Sequence, residues 1–256
     1  MNHSEKLDIE LLQKNISGEV YYKEVTGSTN MDAKQTQEAP DKSLFLSDMQ
    51  TDGRGRMGRS WASQGGEGIL MSIHLIPEIS IQNIPQITLI AGLAVSRVIE
   101  SSFIKWPNDV LIDDKKVCGI LTESTIEANG KIRVIVGIGI NVNNQDFPDD
   151  LKDKATSIFL LTKEKSNRED IIIRVYNEFV ALYESFAANG FSVFMDEYRK
   201  KCITLGREVI IIENEKSFIA KAVDIAENGE LLIENNGKIQ CINSREVSVR
   251  GLLGYN

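Results

Sequence analysis

A run of ten residues from Asp52 to Trp61 interrupts the apolar pattern of the chain and constrains how it can fold. The run holds three glycines, which free the backbone, and three arginines, whose planar guanidinium groups suit carboxylate or phosphate. It is typical of a nucleotide-binding loop or of an RNA-binding tract. Because it occurs once, between the apolar segments 43–46 and 68–76, we expect an ordered scaffold to hold both of its ends. The loop itself is expected to be mobile until an anion orders it.

The composition indicates a globular chain with a large core. The 256 residues suffice for one large domain and a small appended one. The net charge of −8 makes the surface as a whole repel nucleic acid, so no nucleic-acid partner is expected. Cys118, Cys202 and Cys241 have no metal-ligand spacing and are interpreted as buried thiols of a reducing compartment. With no signal peptide and no apolar run of ~18 residues, the sequence predicts a cytoplasmic protein without a membrane partner.

The apolar periodicity predicts an α+β fold, in which a mostly antiparallel sheet has helices on one side. Consecutive strands joined by tight turns favour antiparallel pairing. Beyond Leu205 the chain turns to short β segments split at Asn214-Glu215, Asn228-Gly229 and Asn236-Gly237, which is typical of a small barrel. The predicted domains are therefore 1–204 and 205–256. Strands are predicted at 21–25, 43–48, 68–76, 110–112, 116–123 and 132–142, and helices at 85–100, 166–189 and 191–202.

Several polar residues stand at predicted element ends, where two interpretations remain open. Thr29 with Asp32 fits a capping box, which predicts a helix from Asn30, as Ser166 with Glu169 does for a later helix. The hydroxyl groups near residue 29 either cap the helix or face a polar ligand group. His74 is interpreted as a packed residue, because no partner completes a triad.

Three further segments carry polar groups or glycines beside predicted strands. Asn108-Asp109 either forms a turn or places an amide and a carboxylate at the start of strand 110–112. Lys116 is the first residue of an otherwise apolar strand. Gly137 and Gly139 remove alternate side chains from strand 132–142 and allow a ligand or another backbone to approach. This strand is also expected as a sheet edge, which allows a dimer.

Six motifs in order resemble the biotin–protein ligases. They cover about residues 20–145, and the small β domain continues the likeness to the C-terminus. Two departures are Met57, where a second basic residue is frequent, and Cys118, where a small residue is usual. The motifs are Gly27-Ser28-Thr29-Asn30, Gln50, Gly53 to Trp61, Lys105-Trp106-Pro107-Asn108-Asp109, Lys116-Val117-Cys118-Gly119-Ile120-Leu121 with Glu123, and Gly137-Ile138-Gly139-Ile140-Asn141.

The resemblance implies a class II synthetase-like catalytic domain with a C-terminal SH3-like β-barrel. It implies that ATP, biotin and Mg²⁺ are used: biotin is activated to biotinyl-5′-AMP and then transferred to a lysine of a biotin carboxyl carrier domain. No protein metal ligands are assigned. The site residues that it implies are Lys116, Arg56, Arg59 and Asp109 for catalysis; Ser28, Thr29, Asn30, Gln50, Arg54, Gly55, Arg56 and Lys116 for biotin; and Arg59, Trp61, Asn108 and Asn141 for ATP.

Two alternative functions remain at this stage. A lipoate or octanoate ligase or transferase shares the fold, although different motifs are expected there. A non-catalytic RNA-binding protein would use the Gly-Arg loop, against which the acidic net charge counts. Residues 1–19 are too few for a helix-turn-helix, so the resemblance favours a monofunctional ligase without a DNA-binding domain, either a monomer or a homodimer.

Overall fold

A seven-stranded sheet forms the larger part of the molecule. The computed structural model describes residues 6–63, 65–127, 130–213, 216–244 and 247–251. The strand order is β1-β2-β3-β7-β6-β5-β4, and neighbouring strands are antiparallel except for the parallel pair β1 and β2. The strands are β1 (Val20–Thr26), β2 (Ser43–Gln50), β3 (Ile69–Leu75), β4 (Phe103–Lys105), β5 (Asp109–Ile112), β6 (Lys115–Ile126) and β7 (Ile132–Ile140).

The two long helices cover one face of this sheet, as predicted. The helices are α1 (Ile9–Asn15), α2 (Thr29–Gln35), α3 (Ile84–Val98), α4 (Ile158–Thr162), α5 (Arg168–Asn189) and α6 (Met195–Lys201). Helices α3 and α5 pack against each other, and their apolar stripes join the strands in the main core. The short helix α2 lies on the opposite face, where Ala33 joins Phe45 and Ile135 in a smaller cluster. The side chains of α2 therefore reach a face of the sheet that α3 and α5 leave open.

A five-stranded antiparallel sheet follows, which confirms the small all-β unit at the C-terminus. Its order is β11-β10-β9-β8-β12. The indole Nε1 of Trp106 donates to the carbonyl of Gly229 at 3.0 Å and ties this sheet to the larger one. The predicted turn at Asn214-Glu215 lies outside the described residues. The strands are β8 (Glu208–Glu213), β9 (Lys216–Ile225), β10 (Leu231–Asn235), β11 (Lys238–Ile242) and β12 (Val247–Gly251).

Both predicted capping boxes were wrong. Helix α2 begins at Thr29, and Ser28 occupies the N-cap without a side-chain capping bond. The hydroxyl of Thr29 instead donates to the side chain of Gln50 at 3.0 Å. Helix α5 is capped by Asn167, whose side chain accepts from the backbone N–H of Asp170 at 2.7 Å. The hydroxyl of Thr29 is thus committed to another side chain rather than to its own helix.

Two other expectations were also wrong. Strand β7 is not a sheet edge, because it pairs with β3 on one side and β6 on the other. Helix α1, near the start of the described residues, has Asp8 as its N-cap, whose side chain accepts from the backbone N–H of Leu11 at 2.9 Å. Cys241 is exposed, whereas Cys118 and Cys202 are buried as predicted. Within the described part of the chain, no helix is long and apolar enough to cross a membrane.

Candidate active site

A cavity of about 420 Å³ opens on the face of the sheet that carries α2. The Gly-Arg loop forms one wall, strands β6 and β7 form the floor, and residues 147–155 form a further wall. All thirteen residues that the sequence singled out lie around it: Ser28, Thr29, Asn30, Gln50, Arg54, Gly55, Arg56, Arg59, Trp61, Asn108, Asp109, Lys116 and Asn141. The structure therefore brings the predicted site residues together in one place; their individual roles stay predictions.

One end of the cavity is a network of neutral polar groups. The side-chain carbonyl of Gln50 accepts from the backbone N–H of Thr29 at 2.8 Å and from its hydroxyl at 3.0 Å. The hydroxyl of Ser72 lies 2.7 Å from the Thr29 hydroxyl and 2.6 Å from Asn30 Oδ1. Asn30 then donates to the carboxylate of Glu123 at 2.8 Å. These bonds fix the orientation of each amide and hydroxyl, so the end presents a preset pattern of donors and acceptors.

The floor of the cavity depends on three glycines. Gly119 and Gly139 are directly paired across β6 and β7, and a Cβ atom there would lie 2.7 Å and 2.5 Å from atoms of the Trp61 indole. A Cβ at Gly137 would collide with the side-chain amide of Asn30. Because real Cβ atoms do not approach so closely, these positions must be glycine for Trp61 and Asn30 to lie on the sheet. The groups that approach these glycines closely are side chains of the protein; the approach of a ligand or of another backbone stays a prediction.

The other end of the cavity is cationic. The ammonium of Lys116 lies 2.7 Å from the carboxylate of Asp109 and 5.4 Å from the centre of the Trp61 ring. Opposite charge and an aromatic face together hold Lys116 at the floor, beside the loop. The arrangement suits an anionic group that enters between the loop and the floor.

Arg56 connects the loop to two other parts of the molecule. Its guanidinium donates to Asn108 Oδ1 at 2.9 Å and to the backbone carbonyl of Ser244, after β11. Asn108 in turn donates to the carbonyl of Ile120 in β6 at 3.1 Å. Burial lowers the pKa of Arg56, which the charge of Asp109 partly offsets, and a guanidinium stays charged in either case. Arg56 therefore holds the loop against both the main sheet and the C-terminal sheet.

Sequence reasoning missed several residues of the site. Ser72 lies behind α2 in a strand where alternation alone gives no functional signal. Phe147 and Leu151 line the cavity within a stretch that is otherwise acidic and basic. The spacing of four between these two apolar residues was the signal in the sequence that could have identified them as part of a buried or ligand-binding surface. Lys154 also lines the cavity, as does Val249 of β12.

The described residues offer no ready-made metal centre. No group of three or more His, Cys, Asp or Glu side chains converges among them. Asp109 is the carboxylate that lines the cavity within the described ranges. One carboxylate fits a divalent ion that is bound chiefly by a substrate's phosphates, as Mg²⁺ commonly is.

Comparison with known proteins identifies both parts of the chain. The profile of the "Biotin/lipoate A/B protein ligase family" matches residues 22–143, and that of the "Biotin protein ligase C terminal domain" matches residues 204–250. The chain is 40% identical over 237 residues to the bifunctional ligase/repressor BirA of Bacillus subtilis (strain 168), covering 89% of this chain and 73% of that protein. It is 29% identical over 235 residues to the biotin–[acetyl-CoA-carboxylase] ligase of Mycobacterium tuberculosis, covering 87% and 85%.

A solved structure supports the same assignment. The biotin protein ligase from Aquifex aeolicus, in complex with biotin and ATP, matches with a TM-score of 0.81 and 33% identity. The match covers 91% of this chain and 99% of that one. The chain belongs to the biotin protein ligases, within the biotin/lipoate A/B protein ligase family.

Proposed function

We propose that this protein is an ATP-dependent biotin–protein ligase. In the first step the carboxylate of biotin attacks the α-phosphate of ATP, which forms biotinyl-5′-AMP and releases pyrophosphate. In the second step the amine of an acceptor lysine attacks the carbonyl carbon, forms an amide and releases AMP. The observation that carries the proposal is the cavity itself, which joins a neutral hydrogen-bonding end to a cationic end across a glycine floor.

The neutral end is suited to the ureido ring of biotin. A ureido group has one carbonyl acceptor and two N–H donors, and it needs partners of both kinds in fixed positions. Ser28, Thr29, Asn30 and Gln50 supply hydroxyl and amide groups that are already oriented. Arg54 and Gly55 close this end from the loop side. Since the network is bonded before the ligand arrives, binding loses little side-chain entropy.

The cationic end is suited to the reacting groups and to ATP. Lys116 lies next to the proposed meeting point of the carboxylate and the α-phosphate, where it stabilises charge that develops on the phosphoryl oxygens. Arg59 contacts the phosphates, and Asn108 and Asn141 help to hold the nucleotide. Trp61 lies against the adenine. The adenine also packs against the apolar wall that Phe147 and Leu151 form.

Asp109 has two functions in this scheme. It balances the charge of Lys116 before the anions arrive. If Mg²⁺ bound with the ATP phosphates, Asp109 would be the cavity carboxylate, among the described residues, that could help to hold it. Catalysis then consists of positioning and electrostatic stabilisation rather than of a covalent enzyme intermediate.

The remaining assignments follow from the same function. The acceptor is the biotin carboxyl carrier domain of a biotin-dependent carboxylase, and the reaction takes place in the cytoplasm, in agreement with free thiols at Cys118, Cys202 and Cys241. Residues 1–204 form the biotin- and ATP-binding domain, and residues 205–256 form a small domain that supports it through Ser244 and Gly229. No DNA target is part of this function. The protein works as a monomer or a homodimer.

Pyrophosphate release from ATP tests the proposal and separates it from its alternatives. The purified protein with Mg²⁺ and ATP is mixed with biotin, with lipoate, or with RNA, and pyrophosphate is measured. We expect release that depends on biotin alone. Release that depends on lipoate and not on biotin would make the protein a lipoate ligase. RNA binding without any release would remove the catalytic function.

A further inference from the structure

Glu123 of β6 does not line the cavity, but it is bonded to Asn30, which does. Its carboxylate accepts from the side-chain amide of Asn30 at 2.8 Å, and its other oxygen makes an ion pair with Lys34, one turn further along α2. Asn30 is buried, and a Cβ atom at Gly137 would lie 2.3 Å from its side-chain oxygen, so the amide has little room to move. The partner that the amide meets at Glu123 therefore decides which way it faces.

The carboxylate of Glu123 fixes the orientation of the Asn30 amide. An ionised carboxylate accepts hydrogen bonds and donates none, so it selects the NH2 group of Asn30. The backbone carbonyl of Leu121, 3.3 Å from the same nitrogen, has the same preference. The side-chain oxygen of Asn30 then faces Ser72, whose hydroxyl donates to it at 2.6 Å. Glu123 thereby makes Asn30 an acceptor toward the rest of the network.

This orientation leaves the network one hydrogen short. Three contacts between side-chain oxygens follow one another: Asn30 to Ser72 at 2.6 Å, Ser72 to Thr29 at 2.7 Å, and Thr29 to Gln50 at 3.0 Å. With Asn30 as an acceptor, the two hydroxyl groups supply the hydrogens of these three contacts, because no other described residue donates to either hydroxyl oxygen. Since Thr29 donates to Gln50 and Ser72 donates to Asn30, the contact between the two hydroxyls lacks a hydrogen.

We infer that Glu123 is a positioning residue that makes this end of the cavity select a ring with an N–H donor. The inference rests on the proposed function, in which the ureido ring of biotin binds here. A ring N–H that donates to Gln50 takes the place of the Thr29 hydroxyl, which then turns to Ser72, so that every contact has its hydrogen. A ring without a donor leaves one buried contact unsatisfied, and this deficit disfavours its binding.

Glu123→Gln tests this function, because it reverses the Asn30 amide without changing the size of a side chain. The ammonium of Lys34 only donates, so it holds the carbonyl of the new amide and turns the new NH2 group toward Asn30. Asn30 then presents its own NH2 group to Ser72, and the network has three hydrogens for three contacts before any ligand binds. The variant is expected to bind biotin roughly tenfold more weakly, as for one lost hydrogen bond.

Calorimetric titration without ATP is the measurement, with biotin and with a biotin analogue methylated at both ureido nitrogens. Wild type should bind biotin more tightly than the analogue, and in Glu123→Gln this ratio of affinities should shrink, because a ring donor is no longer needed. Asp32→Asn is the matched control. It makes the same change of carboxylate to amide on α2, where Asp32 pairs with Lys23 at 2.6 Å and does not line the cavity. We expect wild-type affinities for it.

Three further results decide between a positioning and a merely structural role. Glu123→Asp keeps an acceptor and should keep the wild-type ratio of affinities, and the rate of adenylate formation at saturating biotin should be unchanged in Glu123→Gln. Equal biotin affinities in Glu123→Gln and wild type would overturn the inference. So would an equal loss for biotin and for the methylated analogue, because a structural defect lowers both. A wild-type protein that shows the expected ratio but forms no adenylate contradicts the proposed function alone.

Discussion

The ammonium of Lys116 lies 2.7 Å from the carboxylate of Asp109. Lys116 also lies 5.4 Å from the centre of the Trp61 ring, so its position at the floor of the cavity is set before any ligand binds. In the proposed reaction two anions, a carboxylate and a triphosphate, have to approach each other. A cation that is held at their meeting point reduces their repulsion without any reorganisation during the reaction.

Lys116→Ala should lower the rate of adenylate formation by about 10²–10³, the range measured for comparable electrostatic groups. Single-turnover formation of biotinyl-5′-AMP is the measurement. Lys115→Ala is the control, because Lys115 is adjacent, bonds to the carbonyl of Lys152 at 3.2 Å and does not line the cavity. A near-wild-type rate with unchanged biotin affinity would reduce Lys116 to a surface residue.

Arg56→Gly should release the adenylate intermediate. The change removes the bonds to Asn108 and Ser244 and adds backbone freedom, while Lys116 remains in place for adenylation. With a bystander protein, biotin and ATP, the variant should label bystander lysines, and wild type should not. Met57→Gly adds freedom at the next position without removing these bonds, and it should stay specific. If Arg56→Gly forms adenylate normally and retains it as long as wild type, Arg56 does not hold the loop closed.

Gly139→Ala should weaken the binding of both ligands without unfolding the protein. A Cβ atom there would lie 2.5 Å from the indole, so Trp61 has to move off the floor. Calorimetric titration with biotin and with ATP measures the loss, and the melting temperature reports on the fold. Gly92→Ala, in α3, is the control: its Cβ would meet Ile104 at an ordinary 3.6 Å. Equal ligand affinities in Gly139→Ala and wild type would show that the floor does not position Trp61 for binding.

The backbone amides of residues 52–60 should become protected from hydrogen exchange when biotin or the adenylate binds. The free loop is held by the bonds of Arg56 and by backbone bonds such as that from the N–H of Trp61 to the carbonyl of Gly53 at 2.8 Å. Bound anions give its glycine amides and guanidinium groups further partners. Strand β3 is the internal reference and should keep the same protection. Equal exchange of residues 52–60 in free and bound protein would contradict ordering by ligand.

Stability should fall as the pH drops below about 6.5 because of His74. Burial lowers the pKa of this imidazole, which lies 3.2 Å from the carbonyl of Pro40, so the unfolded chain takes up the proton first. The neutral imidazole therefore contributes its full stabilisation above the pKa that His74 has in the unfolded chain. That stabilisation is lost as the pH falls from this value toward the lower pKa of the folded protein. Urea unfolding at pH 8 and pH 5.5 measures this, with His74→Phe as reference. The decrease in the free energy of unfolding from pH 8 to pH 5.5 should be smaller in His74→Phe than in wild type. An equal decrease would assign the pH dependence to other groups.

The strands and long helices could be predicted from sequence because their signals are local. The alternation in 68–76 predicted β3, and the three-and-four spacing from Pro85 predicted α3. The loop and its glycine partners could be predicted because glycine and arginine are chemically distinctive. The family resemblance added the order of the motifs, which no single motif conveys.

The rest depends on long-range contacts that local patterns do not encode. Thr29 was expected to cap α2, but its hydroxyl bonds to Gln50, 21 residues away, which competes with the local cap. Strand β7 was expected at an edge, because alternation does not reveal how many neighbours a strand has. The bond from Arg56 to Ser244 joins residues 188 positions apart. This last contact joins the loop to the C-terminal sheet, which no local pattern near either residue indicates.

The isolation of a bound intermediate tests the central claim most directly. The protein is incubated with biotin, Mg²⁺ and ATP labelled at the α-phosphate, separated from free ligand by gel filtration, and its bound ligands are identified by mass spectrometry. The account predicts one labelled biotinyl-5′-AMP per cavity, which a carrier domain then consumes with release of AMP. Recovery of unreacted ATP and biotin, or of an adenylate formed only when lipoate replaces biotin, would contradict it.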